Sequence, residues 1–213
     1  MKAFFFSFIL LYNITLSHSI NKDDEKYLFF LHNRFLETHE LNEVHPTYGK
    51  VEYSKMITLF QKNGFNVVSE QRKGNVNAQN YALGIVNQIN HLIKQGVKAR
   101  NITVVGTSKG GYIAQYVSTL AENPKLNFVF IGCFRDSDIT TIPEINFCGN
   151  ILTIFEKTDP YGVSAIERKN KSTCSIPHFK EIQLNTGKKH GFLFKSLPEW
   201  TNPTIKWAKG IYK

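Results

Sequence analysis

The sequence predicts an α/β domain whose mostly parallel central sheet is flanked by helices, and three observations carry that reading. Apolar runs of strand length recur along the chain, helical stripes alternate with them, and no internal repeat or Pro/Gly/Ser linker divides the whole. The 213 residues are 42% hydrophobic and 13% aromatic, enough for one domain with its own core. Residues 20–213 are assigned to that domain.

The strand runs are KYLFFLH (26–32), FNVVSE (65–70), NITVVG (101–106), NFVFIGC (127–133), NILTIFE (150–156) and EIQLNTG (181–187). They are continuous rather than alternating, as strands covered on both faces should be. Between them lie helical stripes. Ala82, Ile85, Ile89, Leu92 and Ile93 recur at steps of three and four, with Gly96 as the stop. Ile113, Val117, Leu120 and Ala121 form a second stripe. A last helix is expected to open at NPTIKWAKGIY, with Asn202 as N-cap and Pro203 in the first turn.

The first 19 residues stand apart. MKAFFFSFILLYNITLSHS places a positive charge at Lys2 before an apolar stretch from Ala3 to Leu16, then small residues at Ser17 and Ser19. This is the anatomy of a signal peptide cleaved near Ser19, which predicts a secreted or periplasmic protein. A membrane anchor needs about 20 predominantly apolar residues. The present run is shorter and broken by Asn13, so no stable membrane insertion is expected after cleavage. The net charge of +9, lowered by one with the loss of Lys2, reads as a solvated basic surface. No basic run exceeds a pair and no Arg/Lys stripe alternates with aromatics, which argues against a nucleic-acid partner. Cys133, Cys148 and Cys174 suit one disulfide and one leftover thiol in an oxidising compartment, with the pairing open. No Cys/His spacing suggests a metal.

The functional signal is GTSKG, residues 106–110, which matches G-x-S-x-G between a β-branched strand and an amphipathic helix. Glycines two residues either side of Ser108 allow a tight strand-to-helix turn. That turn presents the hydroxyl at a strand end, beside a helix N-terminus.

With these residues the sequence resembles the α/β-hydrolase superfamily over most of the predicted domain. The resemblance implies a small, single-domain, capless α/β-hydrolase fold. The family's order of serine, acid and histidine directs attention downstream. KTDPYG after the fifth run is similar to the family's penultimate-strand loop and marks Asp159 as the acid. KKHGF after the sixth marks His190 as the base. A serine hydroxyl is a weak nucleophile until a base takes its proton, and the acid orients and stabilises that base. Asp136 and Asp138 are rivals for the acid. His178 precedes the last strand and points toward the wrong end of the sheet.

The resemblance also implies two backbone donors for an oxyanion, those of Lys109 and Arg34. The family's usual His-Gly reads His32-Asn33 here, and Asn33 is a residue that tolerates a left-handed backbone. Arg34, Arg72 and Arg135, each just past a strand end, stand with Lys109 as cations that would draw an anionic substrate. Asn33, Arg72 and Arg135 are therefore candidate substrate-binding residues, although Glu37, Glu70 and Asp136 are available to pair with the arginines. Only residues 134–149 separate two successive strands, which leaves no room for a cap.

The expected activity is hydrolysis of a small ester or acyl substrate through an acyl-enzyme on Ser108, with no metal or organic cofactor. Acyl transfer or peptide cleavage would use the same three residues. A non-catalytic binding protein on a hydrolase scaffold is the alternative outside enzymes.

Overall fold

In the computed structural model, which describes residues 24–213, every ladder of the main sheet is parallel. Its strands are β1 (Tyr27–Leu31), β4 (Asn66–Val68), β5 (Ile102–Thr107), β6 (Asn127–Ile131), β7 (Asn150–Glu156) and β8 (Phe179–Leu184), in the order β4-β1-β5-β6-β7-β8. The chain leaves β1 for one edge, then returns to β1's other side and runs outward. The switch therefore falls between β1 and β5, and ligands bind beyond the carboxyl ends of strands at such a point. A separate antiparallel hairpin joins β2 (Val44–His45) to β3 (Gly49–Lys50).

Alternate residues of each strand enter opposite cores. Phe29, Leu31, Val104, Phe128 and Phe130 pack with α3 (Ala78–Lys94) and α4 (Lys109–Ala121). Leu28, Phe30, Val105, Val129 and Ile131 pack with α2 (Tyr53–Lys62) and α7 (Pro198–Ala208). Both faces are covered, so the strands could be apolar throughout. Short helices α1 (Phe35–Thr38), α5 (Asp138–Thr141) and α6 (Ile166–Lys171) sit in the loops. Residues 132–149 contain α5 and no cap.

Three local expectations change. The last strand begins at Phe179 and ends at Leu184, because Glu181 is anchored by Thr153, Ser164 and the Ala165 N–H while Thr186 turns back to Glu156. The last helix starts at Pro198 rather than Pro203. Buried Trp200, whose indole N–H donates to the Lys195 carbonyl, holds the earlier turn in place. Pro203 leaves only the carbonyl of exposed Glu199 without its helical donor. The helix α2 lacks a predicted counterpart. The expected signal peptide, residues 1–19, lies outside the described residues. Among the described residues no helix is long and apolar enough to cross a membrane.

Candidate active site

At the end of β5 the backbone reverses within one residue. Ser108 has φ 50° and ψ −118°, a left-sided conformation costing roughly 1–3 kcal/mol in a non-glycine residue. Close packing imposes it. A Cβ on Gly106 would lie 2.2 Å from the Gly110 carbonyl oxygen, and one on Gly110 would lie 2.0 Å from that of Leu31. Only glycines let the serine turn approach both itself and the end of β1. The Ser108 N–H donates to the Ile131 carbonyl at 2.9 Å, tying the turn to β6 as well.

The structure brings Ser108, His190 and Asp159 together from three strand ends. His190 Nε2 lies 2.9 Å from Ser108 Oγ, and His190 Nδ1 lies 2.6 Å from Asp159 Oδ2. A carboxylate can only accept, so this network assigns the imidazole proton to Nδ1 and leaves Nε2 to accept from the serine. Asp159 Oδ1 accepts the Tyr161 N–H at 2.9 Å, and the carboxylate is fully enclosed. Behind the pair, buried Glu156 accepts from the Thr158 and Thr186 hydroxyls and from the Thr158, Thr186 and Gly187 N–H groups. Burial pushes this carboxyl up, but those hydrogen bonds outweigh it and hold its pKa below the ordinary range. Glu156 thus clamps the loop carrying Asp159 to the loop carrying His190.

The rival residues are occupied elsewhere. Asp138 accepts from the Tyr112 hydroxyl and the Arg135 N–H, and Asp136 is exposed. His178 stacks on Tyr212 at 4.3 Å, beyond the start of β8 at the opposite end of the sheet.

After β1 the chain enters α1 through buried His32 and Asn33. Asn33 does not use a left-handed backbone, since the described non-glycine residues with positive φ are Ser108, Glu122 and Lys189. The turn is held from behind instead. His32 Nδ1 donates to the Asn33 carbonyl at 2.7 Å, and His32 Nε2 accepts the Arg72 N–H at 2.8 Å. Burial first, then the nearby Arg72 charge, lowers the His32 pKa to about 4, so the ring is neutral. Asn33 and Arg34 both line the cleft above Ser108. Lys109, as the first residue of α4, has a backbone N–H with no acceptor in its own helix.

The Arg72 side chain turns away from the cleft. It is buried against Glu37 Oε1 at 3.1 Å and the His32 carbonyl, because Glu37, also buried, offers the nearest charge. The Lys109 ammonium also turns inward, to Glu37 Oε2 at 2.6 Å and Asn75 Oδ1 at 3.0 Å. Arg34 and Arg135 remain at the cleft, both exposed.

The cleft holds about 360 Å³, and its walls include Phe35, Tyr48, Tyr112, Tyr161 and Phe194. The rings of Tyr161 and Tyr48 flank His190, with centroids at 5.3 and 6.4 Å. Sequence reading missed these aromatics, which come from separate loops and share no spacing. The disulfide joins Cys148 to Cys174, and Cys133 is free but buried, its thiol pushed up to about 12 by that burial. Among the described residues no three His, Cys, Asp or Glu side chains gather as metal ligands.

No family model and no curated protein matches the chain. Among solved structures it is similar to an arylesterase, with a TM-score of 0.62 and 15% identity over 89% of this chain and 77% of the other. It is similar to SOBER1 of Arabidopsis thaliana at 0.57 and 14%, covering 89% of this chain and 100% of the other. A third similarity is to MGS-M1, an α/β hydrolase from a Medee basin deep-sea metagenome library, at 0.60 and 12%, covering 91% and 87%. At these identities the likeness is one of fold.

Proposed function

The chain has the α/β-hydrolase fold, and from that premise we propose that it is an exported serine hydrolase cleaving an ester-type bond through an acyl-enzyme on Ser108. The observation that carries the reading is the unbroken hydrogen-bond chain from Ser108 Oγ through His190 to Asp159, set at a strained turn that faces the cleft.

In the proposed reaction Ser108 Oγ attacks the ester carbonyl carbon while His190 Nε2 takes the hydroxyl proton. The carbonyl oxygen becomes an oxyanion beside the Lys109 N–H, with the Arg34 N–H as the second donor; each such contact is worth roughly 3 kcal/mol of barrier. The C–O bond then breaks and the alcohol leaves with the proton from His190. Water, deprotonated by the same nitrogen, attacks the acyl-enzyme, and the acid departs as Ser108 regains its proton. Asp159 stabilises the imidazolium at each stage. The signal-like N-terminus and the Cys148–Cys174 disulfide support export.

The test is fluorophosphonate labelling of residues 20–213 beside Ser108→Ala and His190→Ala, with the modified peptide identified by mass spectrometry. Labelling on Ser108 that is lost in both variants is expected. A folded protein that takes no label would favour a binding protein on this scaffold.

A further inference from the structure

The cleft beside Ser108 is lined by two arginines and by no aspartate or glutamate. Arg34, Arg72, Lys109 and Arg135 each follow the carboxyl end of a strand, and the structure divides them. Arg72 and Lys109 share one carboxylate, that of Glu37. Arg34 and Arg135 have no ion pair with any described carboxylate.

Arg135 is nonetheless held in place. Its backbone N–H donates to Asp138 Oδ2 at 2.8 Å, and the same oxygen accepts the Tyr112 hydroxyl at 2.7 Å. Buried Arg168 reinforces the segment from behind, donating to the Asp138, Ile142 and Ile145 carbonyls. The Arg135 guanidinium then lies 5.2 Å above the Tyr161 ring, which itself meets His190 edge-on. A cation is thereby fixed one aromatic ring away from the base, with its carboxylate-binding edge unused.

On the reading of Ser108 as nucleophile, we propose that the substrate is an ester carrying an anionic group, a carboxylate in the first instance, on a planar or apolar body. Phe35, Tyr48, Tyr161 and Phe194 supply flat apolar walls for the body, and Arg34 and Arg135 receive the charge. An arginine fork recognises a carboxylate through paired hydrogen bonds, which fixes the position of the neighbouring carbonyl as well as attracting it. The walls and the charge are supplied by different side chains, so body and charge of the substrate can be varied separately.

The experiment compares matched esters on the protein spanning residues 20–213. Phenyl acetate against 4-acetoxybenzoate places the charge on the leaving group, and 4-nitrophenyl butyrate against mono-4-nitrophenyl glutarate places it on the acyl group. A preference in kcat/KM of about tenfold for the anionic member of one pair is expected, equivalent to about 1.4 kcal/mol. It should appear mainly in KM, shrink as salt is raised, and collapse toward unity in the Arg34→Ala/Arg135→Ala double variant. Arg135→Lys should restore part of it. The pair that shows the preference identifies the end of the substrate that carries the charge. Equal kcat/KM within both pairs, in a protein whose Ser108 still takes fluorophosphonate, would overturn the anionic substrate and leave the hydrolase standing. Absence of both labelling and turnover in a folded protein would overturn both.

Discussion

Arg72 and Lys109 reach Glu37 inside the protein, whereas Arg34 and Arg135, from loops at the same carboxyl end of the sheet, face the open cleft without a carboxylate. All four follow the carboxyl end of a strand, so position alone does not separate them. What separates them is a buried acid on α1, within reach of two cations and out of reach of the other two. Enclosed Glu37 and Arg72 would each be costly unpaired, and the pairing commits them to architecture. The inner group joins the loop after β1 to the serine turn, since Arg72 also holds His32 while Lys109 begins α4. The outer pair engages no carboxylate, and the one ring contact it makes, Arg135 over Tyr161, leaves the guanidinium edge open.

Removing the inner arginine is the severest test of this contrast. Arg72→Ala leaves Glu37 with only Lys109 and is expected to lower unfolding stability by about 3–5 kcal/mol in urea titrations. Arg72→Lys should recover little, because the contacts to Glu37 and to the His32 carbonyl come from two nitrogens, Nε and Nη2, of one planar fork that a single ammonium does not span. If Arg34→Ala proved equally damaging, the division between inner and outer cations would fail.

Acidification probes the same region without mutation. His32 takes a proton near pH 6.5 when unfolded but only near pH 4 when folded. Its contribution is therefore complete above pH 6.5 and is lost as pH falls toward 4, at about 1.4 kcal/mol per unit and about 3 kcal/mol in all. A fall in the urea midpoint across that window, with the His32 imidazole remaining neutral by NMR until about pH 4, is the expected result. Arginine does not titrate there, so the outer pair adds nothing to it.

The smallest effect belongs to the rim. Arg135→Ala should change stability by no more than about 0.5 kcal/mol while weakening discrimination between anionic and neutral esters. A large loss of stability would mean that the guanidinium, and not only the Arg135 backbone, holds the Asp138 loop.

Much of the site was legible because its members are tied to strand ends. Ser108 sits in a five-residue pattern whose glycines have a steric purpose, and Asp159 and His190 each follow a strand that could be read from its apolar run. The direction of a side chain was not legible. Nothing local to Arg72 tells that it turns toward Glu37, 35 residues earlier, rather than into the cleft. Glu156 read as the polar end of a strand, and its role as a clamp depends on hydrogen bonds from a loop 30 residues later. The helix α2 did carry a signal, since Met56, Ile57 and Phe60 fall on one face. It lies between the unforeseen hairpin and a strand of only three residues, where flanking elements gave little guidance. For the last helix, Asn202 and Pro203 were the expected opening, and the packing of Trp200 moves the start back to Pro198.

The hairpin of β2 and β3 forms a ladder of its own. It carries His45 and Tyr48 to the cleft and is braced by the segment after β8, where a Cβ on Gly191 would come within 2.9 Å of the Tyr48 ring. Residues 44–50 thus share no strand pairing with the six-stranded ladder. Segments of different length or side chain can be grafted there to reshape one wall of the cleft, while the six-stranded ladder that aligns Ser108, Asp159 and His190 keeps its register. Gly191 sets the tolerance of such a graft, because whatever replaces Tyr48 must still lie flat against a backbone without a side chain.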